Sequence, residues 1–292
     1  MSKFVVLLNM SRKMNSQAVG LDVGLSFIKW LTGAENLHYG IWTDLDVTAG
    51  NLGRAQSAYT DLLFSYLPTG PLRILDVGGG AGETARKLIA LGHQVDIVVP
   101  SPFLAERCRQ NAPEANVHVC KFEDFKTSSQ FDLCLFSESF QYIPYKVAIA
   151  HAKQCVKANG NILIADCFRT TAADKMDKLR RVGGGHPISD FQHYVDAENI
   201  STLASQDITA AVAPSIDLEQ ELFNVFGHAI QRVDDELKVG KPTLRWFLHR
   251  LLNLILNKKR RFRLGRRLFE KDRTAEAFMA HNQYMILSLQ LR

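Results

Sequence analysis

The chain has 292 residues, of which 46% are hydrophobic and 22% charged, and its formal net charge is +5. This composition is typical of an ordinary globular protein and excludes a disordered or fibrous one. No apolar run approaches the ~18 residues of a membrane-spanning helix, and the apolar run at residues 4–8 breaks at Asn9 with no cleavage site for export after it.

The first clear element begins at Arg73, where an apolar run leads into a cluster of glycines. Residues 83–91 then carry apolar side chains at helical spacing. The segment therefore predicts a strand, a tight loop and a helix in succession.

The same alternation continues through the middle of the chain. Further strands are predicted at residues 94–99, 117–120, 131–137 and 161–166. Helices are predicted at 103–110 and 146–156, the second of them stopped by Ala158-Asn159-Gly160. Strands that alternate with helices at this spacing indicate a parallel sheet with helices on both faces.

The pattern changes after Cys167. A helix is expected at 190–197 and a strand at 202–209, and amphipathic helical spacing then fills residues 218–269 before an alternating run at 283–291. That last run predicts the final strand of the same sheet, so the helical stretch is an insertion within one domain. The predicted parts are an N-terminal helical lid (1–60), a Rossmann-like core (61–217), a helical cap insertion (218–269) and the last strand of the core (270–292).

The spacing of the glycines in the loop at residues 76–82 indicates which class of ligand it binds. A dinucleotide-binding loop requires G-x-G-x-x-G, but counting from Gly78 and Gly80 places Glu83 where the third glycine should be. The spacing present is Asp-x-Gly-x-Gly-x-Gly, from Asp76 to Gly82. An acid ahead of the loop suits a cationic or zwitterionic ligand better than a diphosphate.

This motif resembles that of the class I methyltransferases that use S-adenosylmethionine, in which the loop passes under the methionine part of the cofactor. The branch it resembles contains cyclopropane-fatty-acid-synthase-like and tocopherol- or macrolide-methyltransferase-like enzymes. The resemblance implies a Rossmann-like α/β fold, doubly wound, with seven strands of which the last is antiparallel. It also implies S-adenosylmethionine as cofactor and S-adenosylhomocysteine as product.

Further segments carry the resemblance. Residues 37–42, Leu-His-Tyr-Gly-Ile-Trp, resemble a lid segment over the cofactor, and Val99 stands where an acid usually binds the ribose. The residues that the resemblance implies for cofactor binding are Tyr39, Asp76, Gly78, Gly80, Gly82, Val99, Pro100, Ser101, Phe122, Glu123 and Ser137.

The end of the fourth strand, residues 137–142, faces the transferring methyl group in this family, and it lacks the histidine that many relatives have. A base is needed only if the acceptor carries a proton that must leave. The candidates are Tyr142, His38 and His186, and for each an ordinary hydrogen-bonded role remains open.

Residues 241–273 contain twelve Lys and Arg against two acids, and apolar residues recur there at helical spacing. Such a helix can lie on an anionic membrane surface through residues 244–267, or it can cap the substrate cleft. No nucleic-acid recognition module accompanies the charge. Five scattered cysteines predict neither disulfides nor a metal site and suit a reducing cytoplasm.

These features together predict transfer of a methyl group to a small lipophilic acceptor, of quinone, terpenoid, polyketide or fatty-acyl type. The insertion is expected to roof the acceptor pocket. The alternative is a protein of the same fold that binds S-adenosylmethionine without methyl transfer, either cyclase-like or regulatory. The protein is expected in the cytoplasm, with peripheral contact at the inner membrane surface.

Overall fold

The computed structural model describes residues 16–177, 180–270 and 272–291. Its seven strands are β1 (Arg73–Val77), β2 (Gln94–Val98), β3 (Asn116–His118), β4 (Phe131–Ser137), β5 (Val156–Arg169), β6 (Ser201–Asp207) and β7 (Asn282–Gln290). The apolar run at residues 4–8 lies outside the described residues.

The helices flank this sheet or extend from it. They are α1 (Ser16–Thr32), α2 (Leu52–Phe64), α3 (Glu83–Ala90), α4 (Pro102–Asn111), α5 (Tyr145–Cys155), α6 (Thr171–Asp174), α7 (Ile188–Ala197), α8 (Thr209–Val212), α9 (Pro214–Gly240), α10 (Pro242–Ile255), α11 (Lys258–Phe269) and α12 (Ala275–His281). None of these helices is long and apolar enough to cross a membrane.

The strands form one sheet in the order β3-β2-β1-β4-β5-β7-β6. The first five are parallel to one another, and β7 runs antiparallel to both β5 and β6. This confirms the predicted seven-stranded Rossmann-like fold with an antiparallel last strand and a helical insertion before it. The strand order reverses between β1 and β4, where open α/β sheets bind their ligands.

Two layers of core lie on the two faces of the sheet. Along β1, Ile74 belongs to one layer and Leu75 to the other, and Leu135 and Phe136 of β4 divide in the same way. Successive side chains of a strand point to opposite faces, and a central parallel strand is covered on both. The continuous apolar runs of these strands therefore follow from their position.

The predicted helix stop at residues 158–160 was wrong. The helix α5 already ends at Cys155, and residues 157–160 instead form the irregular first part of β5. The ladder between β4 and β5 shifts register here, and Asn159 has a φ of 61°. Asparagine tolerates the left-handed backbone that such a bulge requires. Because asparagine and glycine are also common at helix ends, the sequence pattern does not distinguish the bulge from a helix stop.

Candidate functional site

A cavity of about 750 Å³ opens at the carboxyl ends of β1, β2 and β4, and the glycine loop forms one of its walls. Gly78 and Gly80 have φ values of 76° and 55°, in the left-handed region that glycine adopts without strain. The Gly78 N–H donates to the Val98 carbonyl at 2.8 Å, which holds the start of the loop against β2. The loop geometry thus depends on glycine at these positions.

Asp76 ends the apolar part of β1 and lines the cavity. Its side chain is buried, and burial raises the pKa of its carboxyl group to about 7. The Oδ2 atom is fully buried and has no hydrogen-bond partner among the described residues. It lies against Gly79, where a Cβ would come within 2.6 Å of it. An unpartnered buried carboxylate oxygen suits a ligand that brings a cationic or hydrogen-bonding group.

The segment after α1 forms the opposite wall, and His38 is its most unusual residue. The His38 Nδ1 donates a hydrogen bond to the Tyr39 carbonyl at 2.8 Å, so Nε2 is the unprotonated nitrogen of the neutral ring. Burial lowers the pKa of His38 to about 4, and Nε2 has no partner among the described residues. The ring stacks on Tyr59 with centroids 4.4 Å apart. His38 therefore offers the cavity an unfilled acceptor.

Hydrogen bonds hold this segment closed against the core. The Glu35 N–H donates to Glu83 Oε1 at 3.1 Å, which links the segment to the first turn of α3. The Ser215 hydroxyl accepts from the Gly40 N–H at 3.1 Å and from Trp42 Nε1 at 2.8 Å. These contacts order residues 35–42 over the glycine loop.

Glu138 follows β4 and lines the same cavity. Its φ of 54° is uncommon for a residue with a Cβ, and such backbone strain is concentrated at functional sites. Its Oε1 accepts from the Tyr39 N–H at 2.8 Å and from the Tyr284 hydroxyl at 2.9 Å. No hydrogen bond to Oε2 occurs in the described part of the chain. Burial raises the pKa of this carboxyl group to about 8, against the opposing effect of these two donors.

A chain of hydroxyl groups continues from Glu138 into the core. The Tyr284 and Tyr59 hydroxyls lie 2.9 Å apart, and the Tyr59 hydroxyl lies 3.1 Å from Ser137 Oγ. Both tyrosines are buried, and burial raises the pKa of each phenol above its usual range. The phenols are therefore neutral donors at physiological pH.

Ten of the residues predicted from sequence line the cavity: His38, Asp76, Gly78, Gly80, Pro100, Ser101, Phe122, Glu123, Ser137 and Tyr142. Ser101 caps α4 by accepting the Leu104 N–H at 3.3 Å. Phe122 is buried edge-to-face against Phe136, with centroids 5.5 Å apart. Tyr142 is 78% exposed. Its hydroxyl therefore lies in a wetter environment than Glu138 or His38.

Three predicted cofactor residues, Val99, Gly82 and Tyr39, do not line the cavity. The Val99 side chain is 1% exposed and belongs to the core, whereas Val98 faces the cavity, because alternate residues of an extended chain point to opposite sides. Gly82 is the N-cap residue of α3 and has a φ of 89°, and a Cβ there would lie 2.9 Å from the Cα of Cys108. Gly82 thus allows α3 and α4 to pack closely.

Tyr39 and His186 also lie outside the cavity lining. The Tyr39 ring packs against Phe278 and Tyr284, and its contribution to the site is the N–H that binds Glu138. His186 Nε2 donates to the carbonyl groups of Phe140 and Ile143, at 3.2 and 2.8 Å. Since those carbonyls can only accept, this nitrogen carries a proton and anchors the turn after β4.

The inserted helices do not roof this cavity. Among the described residues that line it, none comes from 218–269. The polar side chains of α10 contact α9, and its apolar side chains are exposed, which is the reverse of a cap. Periodicity reveals that a helix has an apolar face but not the direction in which that face points.

Glu138 is the main residue that the sequence reasoning missed. The interpretation of the strand end sought a histidine, although residues 137–142 contain one acid, at the edge of the sheet where ligands bind. An acid at that position was the sequence signal that could have identified Glu138 as a site residue. Glu35 and Glu83 were also missed, because their link across the cavity joins residues 48 positions apart.

Comparison with known proteins points in the same direction as the site. Residues 74–160 match a family described as "Methyltransferase domain". A ubiquinone biosynthesis O-methyltransferase of Xanthomonas oryzae pv. oryzae is 27% identical over 139 residues, and one of Xanthomonas campestris pv. campestris is 26% identical over 143. Each match covers 45% of this chain, which spans 58% of the length of the relative.

Solved structures match along nearly the whole chain. A mycolic acid cyclopropane synthase complexed with S-adenosylhomocysteine superposes with a TM-score of 0.66 at 18% identity, covering 96% of this chain and 99% of that one. Geranyl diphosphate C-methyltransferase from Streptomyces coelicolor A3(2) gives 0.61 at 13% identity, with 91% of each chain covered. The cyclase SpnF gives 0.66 at 16% identity, covering 94% of this chain and 93% of that one. These similarities establish the fold, and residues 74–160, which include the glycine loop, match the methyltransferase domain family.

Proposed function

We propose that this protein transfers a methyl group from S-adenosylmethionine to a small lipophilic acceptor that carries an ionisable hydroxyl group. The observation that carries the proposal is the pairing of two features in one cavity. Asp76 and the glycine loop form a wall suited to a zwitterionic ligand, and the same space is lined by the carboxylate of Glu138 and by His38, whose Nε2 has no partner among the described residues. A ligand and a base are thereby brought together.

The residues of the loop fit the amino-acid part of this cofactor. Asp76 Oδ2 is a buried acceptor without a partner, and an ammonium or hydroxyl group would satisfy it. The absence of side chains at Gly78 and Gly80 would allow close approach of the ligand to the backbone. Phe122 and Glu123 would hold the adenine, and Ser101 would contact the ribose.

S-adenosylmethionine, when bound, supplies an activated methyl group, whose bond to sulfur breaks as a bond to the acceptor oxygen forms and leaves a neutral thioether. Glu138 would take the proton that the acceptor hydroxyl loses, at the free Oε2 atom. A pKa raised to about 8 makes this carboxylate a stronger base than an exposed one. The Tyr39 N–H and the Tyr284 hydroxyl would hold it in one orientation.

His38 would act beside Glu138 by orienting the acceptor. Burial holds its ring neutral, so Nε2 can accept a hydrogen bond from the acceptor hydroxyl without carrying charge. The closed segment 35–42 would also exclude water from the reacting groups. Tyr142, at the exposed mouth, would contact the acceptor as it enters.

The apolar part of the cavity supports a lipophilic acceptor. Leu37, Leu104 and Ile143 line it together with Phe122. The Xanthomonas relatives are O-methyltransferases of ubiquinone biosynthesis, which is the same class of acceptor chemistry. We place the protein in the cytoplasm, with peripheral contact at the inner membrane surface where such acceptors partition.

Two measurements test the proposal. Isothermal titration calorimetry should detect S-adenosylhomocysteine with an affinity in the micromolar range. Incubation with methyl-labelled S-adenosylmethionine and a panel of prenylated phenols, terpenoid alcohols and fatty acyl compounds should label a phenol or other hydroxyl compound. Cofactor binding without label in any hydroxyl compound would favour a non-methylating, cyclase-like or regulatory protein. Absence of cofactor binding would overturn both alternatives.

A further inference from the structure

The helix α10 contacts the protein through its polar side chains. Arg245 makes two hydrogen bonds to the carboxylate of Asp234 on α9, at 2.8 and 2.9 Å, and His249 Nε2 lies 3.0 Å from the same carboxylate. Asn253 accepts a hydrogen bond from Arg261 of α11. Residues four apart share one side of a helix, so Arg245, His249 and Asn253 define the side that faces the neighbouring helices.

The apolar side chains of α10 are left in solvent as a result. None of the residues of α10, all of which the structure describes, is buried. The exposed apolar side chains form a continuous face centred opposite Asn253, namely Leu244, Phe247, Leu248, Leu251, Leu252, Leu254 and Ile255. Leu254 is 84% exposed and Ile255 is 63% exposed. Soluble proteins rarely leave so many contiguous apolar side chains uncovered unless the surface is an interaction site.

The helix α10 follows the end of α9 that lies away from the core of the protein. Buried residues of α9 occur in its first half, from Ser215 to Gly227, and the second half, which bears Asp234, contains none among its described residues. Gly227 marks the last close contact, since a Cβ there would collide with the Leu268 backbone of α11. The apolar face of α10 is therefore presented at an extremity of the molecule.

The chain segment that contains this face carries charge of one sign. Residues 241–269 contain ten Lys and Arg and no Asp or Glu. Lys258, Lys259, Arg260, Arg261 and Arg263, at the start of α11, are all exposed. An apolar face followed in the chain by a dense cluster of exposed cations matches the polarity of the boundary between lipid headgroups and acyl chains.

We infer that α10 and the start of α11 form a docking element for an anionic phospholipid bilayer. The apolar face of α10 inserts at the depth of the upper acyl chains, and the cations of α11 contact the phosphate groups. A second copy of the chain is a poorer occupant, because pairing of two such faces brings together two surfaces of the same positive charge. The inference does not depend on the methyl transfer reaction.

Sedimentation with vesicles tests this directly. Wild-type protein should bind vesicles made of equal parts of phosphatidylglycerol and phosphatidylcholine, and binding should weaken as salt is added and be lost on phosphatidylcholine alone. The double variant Phe247→Glu with Leu251→Glu should reduce vesicle affinity about ten-fold or more, because two charges enter the apolar face. The variant with Lys258, Lys259, Arg260 and Arg261 each changed to glutamate should lose binding altogether.

The matched control is Leu91→Glu with Leu203→Glu, which adds the same charges at exposed apolar positions directly after α3 and on β6. It should bind vesicles as the wild type does, and all variants should retain S-adenosylhomocysteine affinity and melting temperature, since the altered side chains are exposed. Failure of the wild type to bind phosphatidylglycerol vesicles at low salt would overturn the inference. Full binding by the Phe247/Leu251 variant, or self-association in analytical ultracentrifugation that this variant abolishes without vesicle binding, would also overturn it.

Discussion

The carboxylate of Glu138 lies 2.9 Å from the hydroxyl of Tyr284, although the two residues are 146 positions apart in the chain. The bond joins the end of a parallel strand to the antiparallel last strand, and it orients Glu138 toward the cofactor cavity. A carboxylate fixed by a phenol and by a backbone N–H is a well-positioned proton acceptor. This relationship underlies the first prediction.

Glu138→Gln should lower kcat/KM by about 100-fold with the acceptor identified in the labelling panel, because positioned proton transfer contributes about this much or more. Wild-type kcat/KM should rise with pH up to about 8, where the carboxyl group becomes ionised, and the variant should lack this rise. Steady-state rates between pH 6 and 9 would show it. The variant should bind S-adenosylhomocysteine normally, since the amide keeps an acceptor oxygen for Tyr39 and Tyr284.

Tyr284→Phe separates a chemical role of Glu138 from a purely structural one. Loss of the phenol removes a hydrogen bond that favours the charged carboxylate, so the pKa of Glu138 should rise further. The alkaline rise of kcat/KM should then move to higher pH. An unchanged pH profile in Tyr284→Phe, with lower activity at every pH, would mean that the tyrosine supports folding alone.

Gly80→Ala should weaken S-adenosylhomocysteine binding about ten-fold, or about 1.4 kcal/mol. The Cβ would enter open space in the cavity, where the one neighbour within 4 Å is Leu37 at 3.7 Å, and would occupy volume intended for the ligand. Gly92→Ala is the control, because its φ of +89° gives comparable backbone strain with nothing within 4 Å. Equal titration heats for the two variants would contradict the loop assignment.

Asp76 should make cofactor binding dependent on pH. Its pKa of about 7 in the free protein means that the carboxylate is half protonated near neutrality, and a cationic ligand binds the charged form. Wild-type affinity for S-adenosylhomocysteine should increase about ten-fold from pH 6 to pH 8, with proton release on binding below pH 7. Calorimetry in buffers of different ionisation enthalpy measures both, and Asp76→Asn should show weak binding without the pH dependence.

Three acids with raised pKa values should make the protein less stable as pH rises. Burial raises the pKa values of Asp76 and Asp166 from 3.8 to about 7 and that of Glu138 from 4.5 to about 8. Between about pH 4 and pH 8 the folded state therefore holds more protons than the unfolded state, so the free energy of unfolding contributed by these groups falls as pH increases. Urea denaturation should show a shallower fall between pH 6 and 8 for Glu138→Gln than for the wild type.

Hydrogen exchange should detect closure of the segment over the cofactor. The amides of Glu35, Tyr39 and Gly40 donate to side chains on three different elements, so their protection depends on the segment staying closed. S-adenosylhomocysteine should slow exchange across residues 30–45, because a bound ligand stabilises the closed state. Amides of β6, away from the cavity, serve as the internal reference, and equal protection with and without ligand would contradict the lid assignment.

The sequence alone determined the fold class and the glycine loop. Alternation of apolar runs with helical spacing is a local property, and so is the demand for glycine at Gly78 and Gly80, where the backbone has positive φ. A single sequence therefore predicts both the fold class and the glycine loop. The antiparallel last strand followed from resemblance, since an alternating run reveals a strand but not its direction.

The tertiary structure decided which groups meet. Glu138, Tyr284 and Tyr59 come from distant parts of the chain, and no local pattern brings them together. Val99 stands where an acid usually binds the ribose, but its side chain packs in the core, and only the structure shows which face of the sheet it occupies. The tertiary structure also decided which way the apolar face of α10 points. The sequence defines that face, but Arg245 pairs with Asp234, eleven residues away on α9, so the opposite side of α10 is exposed.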